Sequence, residues 1–228
     1  MGIGHVAVAL GASRAVPRMN VGWLVFASLL ADFLLGIFAS LGLEHATVPA
    51  DYARRHYLLF TFPYSHGFGA LLLWSLLLGL LLSRALGFSC RRVWIVIALV
   101  ALSHFLLDGL VHVAGLPLLG QNSSKFGLAL WNNMPLELSL ETVMAAIGLL
   151  IYWGICGSAQ SRLSRYGIAL FVLLVTAMTW TQLLLTTAPK PRQLSVSWIV
   201  MPVVFSAIAY GLDRGRVRRT FSLADRGL

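Results

Sequence analysis

Six runs of apolar residues, at roughly 21–43, 64–86, 93–115, 135–157, 165–187 and 195–213, are each long enough to cross a bilayer as a helix. Backbone polar groups in hydrocarbon must pair within their own segment, so runs of this length imply helices. The rest of the composition agrees. With 58% hydrophobic and only 11% charged residues, the chain has too little polar surface to cover a soluble globule, where about 25% charged is ordinary. The expected fold is therefore all-α: a polytopic membrane bundle of about six transmembrane helices.

A shorter apolar stretch, Gly2 to Ala12, precedes Arg14, Pro17 and Arg18. A secretory signal has the opposite order, with basic residues before the apolar segment. This stretch is expected to stay in the chain as a short interfacial or half-inserted helix. The last two spans carry no acidic or basic side chain in their interiors before Asp213. The expected organisation is one integral membrane domain, with a polar-site bundle over 1–157 and two scaffold spans plus a basic tail over 158–228.

The formal charge of +9 has a topological meaning. Nucleic-acid binders concentrate basic charge on a polar folded surface, whereas here the bases lie between apolar runs, which excludes that class. Twelve basic residues, Arg14 and Arg18 at one end of the chain through Arg214, Arg216, Arg218, Arg219 and Arg226 at the other, fall on one side of the bundle and five on the other. By the positive-inside rule both termini are cytoplasmic. Trp23, Trp94, Trp153 and Tyr210 then fall near inner span ends and Trp198 near an outer one, as an aromatic belt would. Cys90 and Cys156 both lie toward the cytoplasmic side, where a structural disulfide is not expected.

The acids carry the functional signal. Only eight are present, and an ionisable group in mid-span costs about 2.5–3.5 kcal/mol, which marks it as facing the bundle interior. In the third span His104, Asp108 and His112 recur at i, i+4 and i+8, on one helix face. Imidazole and carboxylate are natural ligands for zinc and similar divalent ions. Glu137 and Glu141 repeat the i, i+4 spacing in the fourth span, Ser65-His66 opens the second, and the first holds Asp32 and ends at Glu44.

Depth links these residues. Helical rise places Asp32 and His104 roughly 16 Å from the inner side, and Asp108, Glu141, His66 and His112 at roughly 22–28 Å. His5 reaches the midplane only if the N-terminal stretch inserts. The layer lies between midplane and outer leaflet. Glu137 reads as a rim residue. His56, Arg54 and Arg55 read as outer-loop residues in contact with solvent or head groups, and Arg54, Arg55 and Lys125 are candidates to hold phosphate.

Taken in order, Gly4-His5, the span-one Asp32, Pro63-Tyr64-Ser65-His66, Ser103-His104, Asp108, His112, Gly127, Trp131-Asn132 and Glu141 resemble the bacterial inner-membrane metal-dependent hydrolases of the YdjM type, over about residues 2–155. That family's first span commonly reads Pro-Asp-x-Asp, where this chain has Leu30-Ala31-Asp32-Phe33, one carboxylate fewer. The order is also similar to zinc-dependent phospholipase C and related single-strand nucleases. That likeness implies one zinc on Asp32, His66, His104 and Asp108, a second on His5 and a bridging Asp108, and a third on His112 and Glu141. The third site has one His fewer than the phospholipase, so one or two ions are expected.

The resulting expectation is a hydrolase of the bacterial inner membrane. It would act on a lipid or phosphoester at the outer-leaflet side through a metal-activated water. Glu141 and Asp108 are its expected catalytic groups, and Ser65, Ser103, Glu44, Asn132 and Glu137 are expected to contact ligands or substrate. Two other classes fit the same residues: a divalent-cation or proton transporter, and a non-catalytic membrane subunit with a structural metal. Oligomeric state is left open.

Overall fold

A computed structural model describes residues 2–156 and 162–225, with the side chains of all of these except 155, 156 and 217–225. The side chains of Cys156, Arg218 and Arg219, the residue Arg226 and the suggested division at 157/158 therefore lie outside the described residues. The chain is an all-α bundle. In order it forms α1 (Ile3–Ala12), α2 (Val21–Ser28), α3 (Leu30–Ser40), the one-turn α4 (Tyr52–Arg55), α5 (Phe68–Ala85), α6 (Arg91–Val111), α7 (Met134–Cys156), α8 (Arg162–Trp180) and α9 (Pro191–Asp225). The helices α5 to α9 are each long and apolar enough to cross a membrane, and the bent pair α2–α3 makes a sixth span if counted as one. This is a multi-pass membrane protein.

Two small antiparallel ribbons tie the loops at one end: β1 (His45–Thr47) with β2 (Leu59–Thr61), His45 opposite Thr61, and β3 (Leu116–Pro117) with β4 (Lys125–Phe126), Leu116 opposite Phe126.

Packing follows membrane rules. The helix α5 buries Leu71, Ser75, Gly79 and Ser83 and turns Leu73, Leu76, Leu77 and Leu81 outward. Burying small side chains and exposing leucine is sensible only where the surroundings are as apolar as leucine, and close approach of backbones then drives association. The same device seats α9 on the broken span. A side chain at Gly22 would strike the Ser206 carbonyl and Tyr210, and one at Gly36 would strike Ser195 and Ile199.

One feature selects between alternatives the sequence left open, and a second departs from the sequence reading. First, α1 is not interfacial. Seven of its ten residues are buried, among them Ile3, His5, Val6 and Leu10, and it is enclosed by α2, α6, α7 and α8. At about 15 Å it spans half a bilayer, so it is the half-inserted alternative. Second, the first span is broken at Leu29, where α2 and α3 meet at 51°. No Pro or Gly causes the bend. The first hydrogen bond of α3 runs from Phe33 N to Leu29 O, leaving the Ser28 carbonyl outside the ladder, where the His104 imidazole takes it at 2.8 Å. A side chain inserted into the helical ladder is a recognised cause of a kink.

At the opposite end, Arg216 is buried and grips Asp213 through Nε and Nη2, both at 2.7 Å. Tyr152 Oη and Val21 N also donate to Asp213, at 2.6 and 2.8 Å. The sequence groups Arg216 with the basic tail that marks orientation. Its burial follows from Asp213 lying three residues earlier on the same helix face.

Candidate metal centre

The helix α6 presents His104 and Asp108 one turn apart, and His112 caps its end, with His112 N bonded to Asp108 O at 2.9 Å. The Asp108 carboxylate is the hub. Its Oδ2 lies 3.4 Å from His104 Nε2, 3.3 Å from His112 Nε2 and 3.5 Å from His66 Nε2. Its Oδ1 lies 3.2 Å from Nε2 of His5, whose ring stacks on His104 at 3.7 Å between centroids.

The helix break puts Asp32 in the first turn of α3, where the N-terminal end of the dipole favours a carboxylate. From there Asp32 Oδ1 lies 3.8 Å from His66 Nε2 and 3.9 Å from His104 Nε2. Six residues from α1, α3, the turn before α5, and α6 thus meet in one cluster.

The donor set suits a divalent ion. The two triads His5/His104/Asp108 and Asp32/His66/His104 each bring one ligand atom per residue to within 4.8 Å of the others. A tetrahedral ion 2.0–2.2 Å from its ligands holds them roughly 3.3–3.6 Å apart. The triangle of His66 Nε2, His104 Nε2 and Asp108 Oδ2, with edges of 3.2, 3.4 and 3.5 Å, falls close to that spacing. His5 Nδ1 is buried with no hydrogen-bond partner among the described residues.

Outer contacts fix the rings. His104 Nδ1 donates to the Ser28 carbonyl. His66 Nδ1 donates to Ser65 Oγ at 2.8 Å, and that hydroxyl donates on to Glu44 Oε2 at 2.6 Å. Glu44 Oε1 accepts from Tyr64 N and Ser65 N at 2.7 and 2.9 Å. Burial raises the Glu44 carboxyl above its ordinary value against the pull of these three donors. Carboxylate–histidine pairs of this kind set tautomer and orientation at metal sites.

The remaining expected site residues behave differently. Ser103 precedes His104 as Ser65 precedes His66, but its hydroxyl bonds the Val100 carbonyl at 2.7 Å and turns away from the imidazoles. Glu141 is in neither triad. Its Oε1 and Oε2 accept from Gly2 N and Gly4 N at 3.1 and 3.2 Å, so it caps the start of α1 from a neighbouring helix. Glu137, read from the sequence as a rim residue, is instead buried one turn away, and its Oε2 has no hydrogen-bond partner among the described residues. Asn132 accepts from Tyr57 Oη at 3.0 Å, and Tyr57 in turn takes a hydrogen bond from Arg55 Nη1 at 2.7 Å. Asp51 pairs with both Arg54 and Arg55, which holds its carboxyl down at about 2.

Above the cluster lies a cavity of about 260 Å3. Asp32, His66, Asp108 and His112 reach its floor, and its walls are apolar, with Phe60 and Trp131 on one side and Trp198, Met201 and Phe205 of α9 on another. Trp131 packs on His112 at 4.0 Å between ring centroids. The α9 wall was not legible in the sequence: Trp198 read as an aromatic-belt residue and α9 as scaffold, because an apolar helix face looks alike toward lipid or cavity. The loop over His112 is fixed by Gly127, where any side chain would collide with the His112 carbonyl. No family model, curated protein or solved structure matches the chain.

Proposed function

We propose that the protein is a membrane-embedded, divalent-metal-dependent hydrolase whose substrate is a lipid-borne phosphoester. The reading rests on one observation. Three imidazole nitrogens and two carboxylates converge at ligand spacing on the floor of a cavity whose other walls are apolar. His66, His104, Asp108 and Asp32 would hold one ion, with His5 and His112 on the further lobes of Asp108, and nitrogen with carboxylate oxygen suits zinc. A divalent ion there supplies Lewis acidity, lowering the pKa of water and drawing charge from phosphoryl oxygens.

The chain's own groups divide the remaining work. Asp32 has a side chain 29% exposed, against 1–7% for Asp108 and the histidines beside it. It is the more exposed of the two carboxylates at the cavity floor and would accept the proton from attacking water. Asp108, contacted by four imidazoles, orients them. Glu141 holds α1 in place so that His5 reaches Asp108. Trp198, Met201 and Phe205 receive the apolar part of the substrate.

In this reading the centre opens toward the outer leaflet of a bacterial inner membrane, with both termini cytoplasmic, in keeping with the basic loops at the other end. Transport is the lesser reading because the polar path stops at the cluster. Val6, Leu10, Leu24, Ile97 and Val100 are buried below it in a closed apolar core.

The test is turnover by metal-loaded protein in vesicles carrying a panel of phosphomonoester and phosphodiester lipids. Release of phosphate or head group by wild type, and none by Asp32→Asn, is expected. Metal-loaded protein inert toward the panel but conducting the ion across the vesicle would overturn the proposal.

A further inference from the structure

The cavity above the His/Asp cluster has a neighbour of about 240 Å3. Phe60, Trp131 and Trp198 line both, so three aromatic rings form a common border. The centroid of Phe60 lies 5.8 Å from that of Trp198 and 6.3 Å from that of Trp131. The second chamber is enclosed by α4 and the residues after it, the start of α7, and the connection from α8 to α9 around Leu185 and Pro189. Tyr57 adds a fourth ring, stacked on Trp131 at 5.6 Å between centroids. Its hydroxyl is bonded to Arg55 and Asn132, which fixes the ring in place.

No Asp, Glu, Lys or Arg lines this chamber among the described residues. Three neutral polar side chains do, each with capacity to spare. Tyr52 is only 8% exposed, yet its hydroxyl makes no hydrogen bond among the described residues, and burial pushes the phenol above its ordinary value, so it keeps its proton. His56 ends α4 in the left-handed conformation, at φ 57°, which is strained for a residue with a side chain. There its Nδ1 donates to the Leu185 carbonyl at 3.1 Å, which leaves Nε2 to accept. The Gln182 amide meets the Met134 sulfur at 3.9 Å, a weak acceptor. A buried polar group without a partner is costly, and Tyr52 sits in a chamber where a ligand would supply one.

The lining decides the ligand's chemistry. Flat rings match the apolar C–H faces of a pyranose, and an unpaired hydroxyl, imidazole nitrogen and amide match its hydroxyls. An ammonium head group would settle on the rings but leave Tyr52 and Gln182 unpartnered, with no carboxylate beside it. A second phosphate finds no guanidinium or amine. The volume, below the roughly 300–1,000 Å3 of common ligand pockets, suits one ring and not an oligosaccharide. We infer that the substrate of the His/Asp site is a lipid phosphoester carrying a single uncharged sugar, with the sugar held by Tyr52, His56 and Gln182 against Tyr57 and Trp131. This deepens the hydrolase reading and rests on it for the place of the phosphate. Hydrolysis of such an ester adds a hydroxyl to phosphorus and a proton to the released alcohol oxygen, so water is the only co-reactant.

Three probes test this: dodecyl phosphoglucose, dodecyl phosphocholine and dodecyl phosphate. Each is titrated into the protein in a polyoxyethylene detergent, which carries no competing sugar, with tryptophan emission reading binding and cleavage followed separately after metal loading. The glucose probe is expected to bind about tenfold tighter than the other two, and to lose about fivefold in Tyr52→Phe and in Gln182→Leu. Tyr166→Phe, the same deletion at an exposed tyrosine outside the chamber, is expected to change nothing. Equal or tighter binding of the choline probe, no gain from the sugar, or full affinity in both chamber variants would each overturn the inference. Preferential binding of the glucose probe without cleavage of any probe would remove the hydrolase reading and leave the sugar site. Cleavage of all three with equal affinity would do the reverse.

Discussion

His66 Nε2 and His104 Nε2 face each other at 3.2 Å, and each ring has already committed its Nδ1–H to the opposite side, His66 to Ser65 and His104 to Ser28. Two imidazole lone pairs at that distance repel unless a cation, a proton or a metal ion, lies between or beside them. With Asp108 Oδ2 3.4 and 3.5 Å away and Asp32 Oδ1 beyond, the surroundings supply the negative charge a divalent ion would need.

The matched serines give the sharpest comparison. Ser65 links His66 to Glu44, while Ser103 bonds its own helix. Ser65→Ala and Glu44→Gln are each expected to weaken metal affinity about 10–100-fold, and Ser103→Ala to leave it unchanged. Competition with a chromogenic chelator measures all three. An equal loss in Ser103→Ala would contradict the assigned contacts.

Glu141 separates a ligand from a cap. Both its oxygens accept backbone N–H groups of α1. Glu141→Gln places an NH2 against one of those donors and is expected to cost about 1 kcal/mol, as loss of a cap does. Metal content is expected to stay as in wild type. Thermal unfolding in detergent and elemental analysis of the same sample read the two effects, and metal lost without any fall in stability would make Glu141 a ligand.

The Asp213–Arg216 pair is buried on both sides. Arg216→Met leaves a buried carboxylate without its counter-charge, for an expected loss of about 3–5 kcal/mol. Asp213→Asn in the same chain is expected to restore much of it. Denaturation of the three variants gives the coupling, and additive losses would show that the two groups do not interact.

In the loop between α3 and α5 the arginines hold the Asp51 carboxyl at about 2, below its usual value near 3.9. A depressed folded-state pKa means that the ion pairs contribute above pH about 4 and are lost as pH falls through about 2. Side-chain carbon NMR of labelled Asp should show that low midpoint. A midpoint near 4 would mean that Arg54 and Arg55 are free for other anions.

The sequence made much of this centre legible for a simple reason. In an apolar span an acid or a histidine is costly, so His104, Asp108, Asp32 and His66 stand out, and helical rise alone assigns them a common depth. Partners are another matter. Nothing local distinguishes Ser65 from Ser103, because what matters is whether Glu44 folds back over the turn before α5. The break at Leu29 carries no Pro or Gly, since its cause is an imidazole from α6. The cavity wall from Trp198 to Phe205 has no polar signature at all, and Arg216 counts as one more basic residue until Asp213 and the residue 17–19 carbonyls are seen around it.

Elemental analysis of protein purified in detergent without chelator or added metal tests the central claim most directly. One or two tightly held divalent ions per chain are expected in wild type, falling toward none in Asp108→Asn while the variant stays folded. Folded wild-type protein free of metal, and unable to take it up from micromolar zinc, would contradict the account.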